Sequence, residues 1–168
     1  MALIITATPI SMHEMSGHSI EYTTFVIQSQ IVAMFLPSLI SGYLIKKRLR
    51  LSLIITGLVI YLGVATIGIN GASVPHYWLA LVALGFGWNL LVVTTTALLP
   101  AAYNENEKNH AQALNDFLIL TTQAIGAFGT GWLVFSLGWI SVLWIAAIAS
   151  LFWLVVVVVL KRLMDRAI

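Results

Sequence analysis

The chain has 168 residues, enough for one ordinary domain, with 60% apolar and 8% charged side chains and a formal net charge of +2. Soluble domains carry roughly a quarter of their residues charged, so a water-facing surface cannot be built from this composition, and lipid is the solvent that remains. The absence of cysteine excludes a disulfide framework and a thiolate metal site, and eight Lys and Arg are too few for nucleic-acid recognition.

A spanning helix needs about 20 mostly apolar residues, each rising about 1.5 Å across a core of about 30 Å. Residues 1–12 are apolar and read as helix, yet they reach only about 18 Å. Either this is a spanning helix clipped of its first turns or it lies partly inserted; the first is expected, in a truncated open reading frame or a fragment of a longer gene. No cleavable signal peptide is visible there. Five full spans follow, at 20–45, 52–71, 76–99, 112–137 and 140–163. The fold class expected is therefore an all-α, six-helix transmembrane bundle forming one domain.

The punctuation between the spans agrees with this division. Asn70-Gly71-Ala72-Ser73-Val74-Pro75 reads as a turn, with Pro75 near a helix start, where its missing N–H costs little. Pro100 closes the next span. Asn104 with Glu107 three residues later resembles a capping box. Leu137-Gly138-Trp139 is a tight connection, and five consecutive valines, 155–159, read as a lipid-facing stretch of the last helix.

The cations orient the bundle. Loops 46–51 and 100–111 and the C-terminal tail hold all eight Lys and Arg, whereas 13–19, 72–75 and 138–139 hold none. The positive-inside rule then places the C-terminus and those three regions in the cytoplasm of a multi-pass cell-membrane protein.

Three stretches carry a family resemblance. Ser41-Gly42-Tyr43-Leu44-Ile45-Lys46-Lys47-Arg48-Leu49-Arg50 is similar to the Gly-x-x-x-Asp-Arg-x-Gly-Arg-Arg loop of the major facilitator superfamily in its weaker second copy. Leu84-Gly85-Phe86-Gly87-Trp88-Asn89 and Ala111-Gln112-Ala113-Leu114-Asn115-Asp116-Phe117, the latter followed by Gly126, Gly129 and Gly131, resemble later helices of that family. Order and spacing look like its helices seven to twelve, the C-terminal half. Lys46 stands where the loop usually has an acid and Leu49 where it usually has glycine. The cytoplasmic loop residues Gly42, Lys46, Lys47, Arg48 and Arg50 are therefore read as a positive-inside anchor rather than a gating switch. The resemblance implies half of a secondary transporter that moves a small organic solute by alternating access. Its partners would be the lipid bilayer, the solute, and an N-terminal six-helix half or a second copy. No cofactor is implied. The competing reading is a non-transporting scaffold or an inactive fragment of a split transporter gene.

Polar groups in hydrocarbon are costly without partners, so their helical phase is informative. The candidate solute path is Gln28, Trp88, Asn89, Thr96 and Gln123, with packing between helices an equal alternative for Gln28, Asn89 and Gln123 and open for Trp88. Thr56, Gly63 and Asn70 recur every seven residues on one face; Asp116, Gln123 and Thr130 share another, beside Asn115, Thr122, Gly126 and Gly129. Such faces either line a solute path or pack helix on helix, and for the glycines, Ser38 and Thr56 packing is expected. Pro37 is expected to bend its helix. Asp116 admits two readings, a proton site or an interfacial acid near a helix N-terminus. It lies about four residues into its apolar segment, which favours the interfacial role. His13, Glu14, His18 and Glu21 cluster on a loop without a rigid frame, and a metal site there is not expected. Trp78, Trp132, Trp139 and Trp144 suit an aromatic belt. No nucleophile–base pair or phosphate loop appears, so no enzyme is expected.

Overall fold

The computed structural model describes residues 1–40, 43 and 50–166. The basic-loop residues Gly42, Lys46, Lys47 and Arg48 lie outside the described residues, while Arg50 opens a helix. The described residues are helical throughout with short connections and no strand, as an all-α membrane bundle requires.

Helix α1, Ala2–Pro9, continues past its proline as a wider π-helical turn, Ile10–Met15. Pro9 cannot donate a backbone hydrogen bond, which favours this local change of pitch. Gly17 (φ 67°) then reverses the chain, and the His18 N–H donates to the Met12 carbonyl at 2.9 Å. Ser19 caps α2, Ile20–Phe35, its Oγ accepting from the Tyr22 N–H at 3.4 Å, with Glu21 in the first turn. The α-helix is interrupted at Leu36-Pro37. Beyond it the Leu39 and Ile40 N–H groups reach back only three residues, to the Leu36 and Pro37 carbonyls. Pro37, expected to bend its helix, thus interrupts the α-helical hydrogen-bond ladder.

Helices α3, Arg50–Asn70, and α4, Val74–Leu98, form an antiparallel pair. Short 3₁₀ turns, Leu99–Ala102 and Glu105–Glu107, lead onward, and the Asn104 N–H donates to the Glu107 carboxylate at 3.4 Å as a capping box requires. One long tract, Lys108–Arg166, is broken at Gly138, whose φ of 79° a residue with a Cβ rarely adopts. Its arms are α5, 108–137, and α6, 139–166.

The ends of the bundle are distinct. His18 bonds the Ala72 carbonyl, Tyr77 bonds Ser16, and the rings of Tyr77 and Trp139 stand 5.5 Å apart. The turns at 16–19, 71–73 and 138 therefore meet at one end. Arg50, Lys108, Lys161 and Arg162, at the far ends of the antiparallel helices, fall at the other.

In hydrocarbon, helices gain little from excluding apolar side chains, so association rests on close packing around small residues. A Cβ on Gly85 of α4 would lie 2.6 Å from the Gln30 carbonyl oxygen of α2. One on Gly87 would meet the Tyr61 ring of α3 at 2.9 Å. The buried centre is formed by residues such as Val64, Tyr77, Leu81, Leu84, Val134 and Leu143. Large apolar side chains point outward, among them Leu39 (82% exposed) and Phe128 (88%), which only a lipid surround tolerates in such number. Val155 and Val159 of the valine run are exposed in the same way.

Two sequence expectations are corrected. On α3 the seven-residue repeat faces outward: Thr56 and Asn70 are exposed and a Cβ on Gly63 would meet nothing. The packed stripe of that helix is Gly57, Leu58, Val64, Ala65 and Gly68. Trp139 is not part of an aromatic belt, since it is buried against Tyr77, whereas Trp132 and Trp144 are exposed.

Candidate functional site

A cavity of about 580 Å³ lies among α3, α4, α5, α6 and the first turn of α1. Its size is that of a small-molecule pocket. Three aromatic side chains reach its wall, Tyr61 of α3, Trp88 of α4 and Trp153 of α6. From α5 come the amides of Asn115 and Gln123 and the Thr122 hydroxyl. Asn115, Ile119, Thr122, Gln123 and Gly126 fall at i, i+4, i+7, i+8 and i+11, so one stripe of α5 faces the cavity. Thr122 already donates to the Leu118 carbonyl at 2.7 Å. Gln123 makes no side-chain hydrogen bond among the described residues, and its amide is free for a ligand. No side chain on the described wall carries a charge.

Of the five path residues read from sequence, Trp88 and Gln123 meet at this cavity. Gln28 is exposed on α2, away from this cavity. Thr96 is exposed near the end of α4. Asn89 is buried but turned toward α2, where its amide nitrogen donates to the Met34 carbonyl and the Ser38 hydroxyl. Asp116 is exposed and accepts from Asn115 at 3.2 Å, which places its carboxylate beside the cavity without lining it. Thr130, on the same face of α5, is buried and donates to the Gly126 carbonyl at 2.6 Å, with a longer reach of 3.4 Å to the Leu3 carbonyl of α1.

Sequence reasoning missed Gln30. It is fully buried between α2 and α4, with Nε2 at 3.3 Å from the Met34 sulfur and Oε1 without a partner among the described residues. Four-residue spacing from Met34 was the available signal, but Gln28 and Gln30 differ by only two positions and no helical phase had been fixed. Tyr61 and Trp153 were missed because an aromatic residue in an apolar span looks the same whether it faces lipid or a cavity.

At the end away from the described cations a second, open hollow is bordered by hydrogen-bonded side chains. Tyr77 Oη lies 2.7 Å from Ser11 Oγ and 3.2 Å from Ser16 Oγ. His13 Nδ1 donates to the His18 carbonyl at 2.9 Å and His18 Nε2 to the Ala72 carbonyl at 2.7 Å. The two loop histidines thus tie turns together, and the described residues hold no cluster of three metal-ligating side chains.

These features define a multi-pass, all-helical membrane protein with a solute-sized, partly open cavity among its helices. Residues 1–167 match the Major Facilitator Superfamily, and the chain belongs to that family of transporters. It is 36% identical over 145 residues to the riboflavin transporter RfnT of Brucella anthropi, a match covering 86% of this chain and 36% of that protein. It is 31% identical over 160 residues to the uncharacterized MFS-type transporter YdeG of Bacillus subtilis, covering 94% of this chain and 37% of the relative. A second Bacillus subtilis protein, the uncharacterized MFS-type transporter YddS, is 32% identical over 136 residues, 80% of this chain and 31% of its own. The chain thus spans about a third of the length of these relatives. No solved structure is a significant match.

Proposed function

We propose that this chain is the C-terminal six-helix half of a secondary active transporter, carrying a small organic solute by alternating access against a second bundle. The observation that carries this reading is the family match over 1–167 together with a partly open cavity among the helices, lined by aromatic and amide side chains and by no charged side chain. The riboflavin transporter among its relatives supports an organic cargo. Transporters of this family work by rocking one bundle against another around a site near the bilayer midplane. Here the partner bundle is an N-terminal half or a second copy.

The bundle sits in the cell membrane with its cation-bearing end, and hence its C-terminus, in the cytoplasm. All the described Lys and Arg side chains that stand at helix ends stand at that end, as positive-inside insertion favours. Cysteines placed at Ser73 and at Asn106 test the orientation in intact cells. A membrane-impermeant thiol reagent is expected to label the first and not the second. Equal labelling overturns the threading.

The transport reading is tested in proteoliposomes holding the full-length protein. Accumulation of an organic solute that collapses with the ion gradient is the expected result. Absence of any solute movement, under either sign of gradient, overturns it in favour of a membrane scaffold.

A further inference from the structure

The cavity wall combines features that select by chemistry as well as by size. Trp88 brings an indole ring from α4, and Trp153 of α6, 56% exposed and edge-on to Phe152, brings a second at the open side of the cavity, on helices that otherwise supply mainly aliphatic wall. Two amides stand on the α5 side, Gln123 with its side chain unbonded and Asn115 with one N–H committed to Asp116. No charged side chain lines the cavity, and apart from the α-amino group of Met1 and the Tyr61 phenol its wall offers no ionisable group, so a multiply charged ligand would lose its hydration without a matching set of counter-ions. An aliphatic polyol would gain little from the indoles. A flat ring system with hydrogen-bonding groups on its edge meets both requirements, because ring faces stack on indoles while amides pair with edge carbonyls and N–H groups.

We propose that this cavity binds an uncharged, flat heteroaromatic solute, its ring face on the indoles of Trp88 and Trp153 and its polar edge on the amides of Gln123 and Asn115. The proposal rests on the transporter reading and narrows its cargo. Trp88 and Gln123 are then the specificity-determining residues of the site. The riboflavin transporter among the relatives carries a molecule of this chemistry, which makes riboflavin the appropriate first probe.

Binding is measured on the purified chain in lipid nanodiscs by quenching of flavin fluorescence. Three probes separate the contributions: riboflavin, its negatively charged 5′-phosphate, and ribitol as a competitor without a ring. Saturable quenching by riboflavin is expected, with at least tenfold weaker binding of the phosphate and no competition by ribitol. Trp88→Leu and Gln123→Leu are each expected to weaken binding tenfold or more, Trp88→Phe to restore part of it, and Trp144→Leu, on the outer surface, to leave it unchanged. Thermal unfolding in the same nanodiscs separates lost binding from lost fold. Equal binding of riboflavin and its phosphate overturns the proposal, as does riboflavin binding undiminished in both cavity variants. So does an Ala149→Cys chain that no aqueous thiol reagent modifies, because the space is then filled by protein or lipid. Proteoliposomes of the full-length protein distinguish the two readings. Transport confined to charged or non-aromatic solutes sinks the cargo class and leaves the transporter standing. No transport at all sinks the transporter.

Discussion

Asn89 holds α4 to the proline break of α2 through its amide nitrogen, which donates to the Met34 carbonyl at 2.6 Å. In a straight helix the carbonyls at 33 and 34 accept from the amides of residues 37 and 38. Pro37 has no amide hydrogen, and the chain beyond it tightens to three-residue hydrogen bonds. The second N–H of the same Asn89 nitrogen donates to Ser38 Oγ, also at 2.6 Å, so one side chain grips both sides of the break. Asn89 therefore acts as a staple between helices, although its phase in the sequence fits a cavity residue equally well.

Asn89→Ala is expected to destabilise the bundle by about 1 kcal/mol, the usual worth of an interhelical hydrogen bond in a membrane. Ser38→Ala is expected to cost less, because the Met34 bond survives. Denaturant unfolding of the two single variants and the double variant, in mixed micelles, measures both. A double-variant cost equal to the sum of the singles would contradict the shared staple.

One turn earlier on α4, Gly85 lies so close to α2 that an added Cβ would stand 2.6 Å from the Gln30 carbonyl and 3.0 Å from the Ala33 Cβ. Backbone cannot yield as a side-chain tip can, so Gly85→Ala is expected to cost about 1–3 kcal/mol, typical of overpacking. Gly129→Ala on α5 meets nothing within 4 Å and is expected to be neutral or to gain up to about 1 kcal/mol from helix propensity. Thermal unfolding of the two variants side by side tests the contrast; equal shifts would contradict the close crossing.

Tyr77 is buried with its hydroxyl between Ser11 and Ser16 and its ring against Trp139. Tyr77→Phe keeps the ring and removes the hydroxyl, an expected loss of about 1 kcal/mol. Adding Ser11→Ala to Tyr77→Phe should then cost almost nothing further, since the shared bond is already gone. A full additional loss, read by the same unfolding assay, would show that Ser11 is held by something other than Tyr77.

The helices were legible because hydropathy, Gly-Pro punctuation and cation placement agree, as at Gly138, Pro75 and Pro37. Which face of each helix points inward was much less legible. In lipid, outward and inward faces are both apolar, so periodicity loses the contrast it has in water. The seven-residue repeat of Thr56, Gly63 and Asn70 is regular and faces out, while Gly57 and Gly68, one or two positions away, pack. On α5 the polar stripe is dense enough to fix the phase, and Asn115, Thr122 and Gln123 do face the cavity. On α2 the two glutamines at 28 and 30 point differently, and only the neighbouring α4 decides which is buried.

Asp116 is exposed beside the cavity, its carboxylate accepting from Asn115. The interfacial reading of Asp116 requires it to be replaceable. Asp116→Asn is expected to leave the dependence of transport on an imposed proton gradient unchanged in proteoliposomes of the full-length protein. Loss of that dependence with solute binding intact would make Asp116 the proton site instead.

The last helix tests the lipid assignment itself. Val155 is exposed and lies in a run of five valines without a polar neighbour, on α6, whose outer face also presents Phe152 and Val159. A charge at that position has no cavity, no counter-ion and only a long route to either interface. Val155→Arg is expected to cost roughly 2.5–3.5 kcal/mol of insertion free energy, the value for a cation near a helix centre. On a face that met water the same change would be harmless. Insertion is scored by glycosylation mapping of α6 in microsomes. An arginine chain that inserts as efficiently as wild type would mean that this face does not meet hydrocarbon, and the valine run would need a protein partner to cover it.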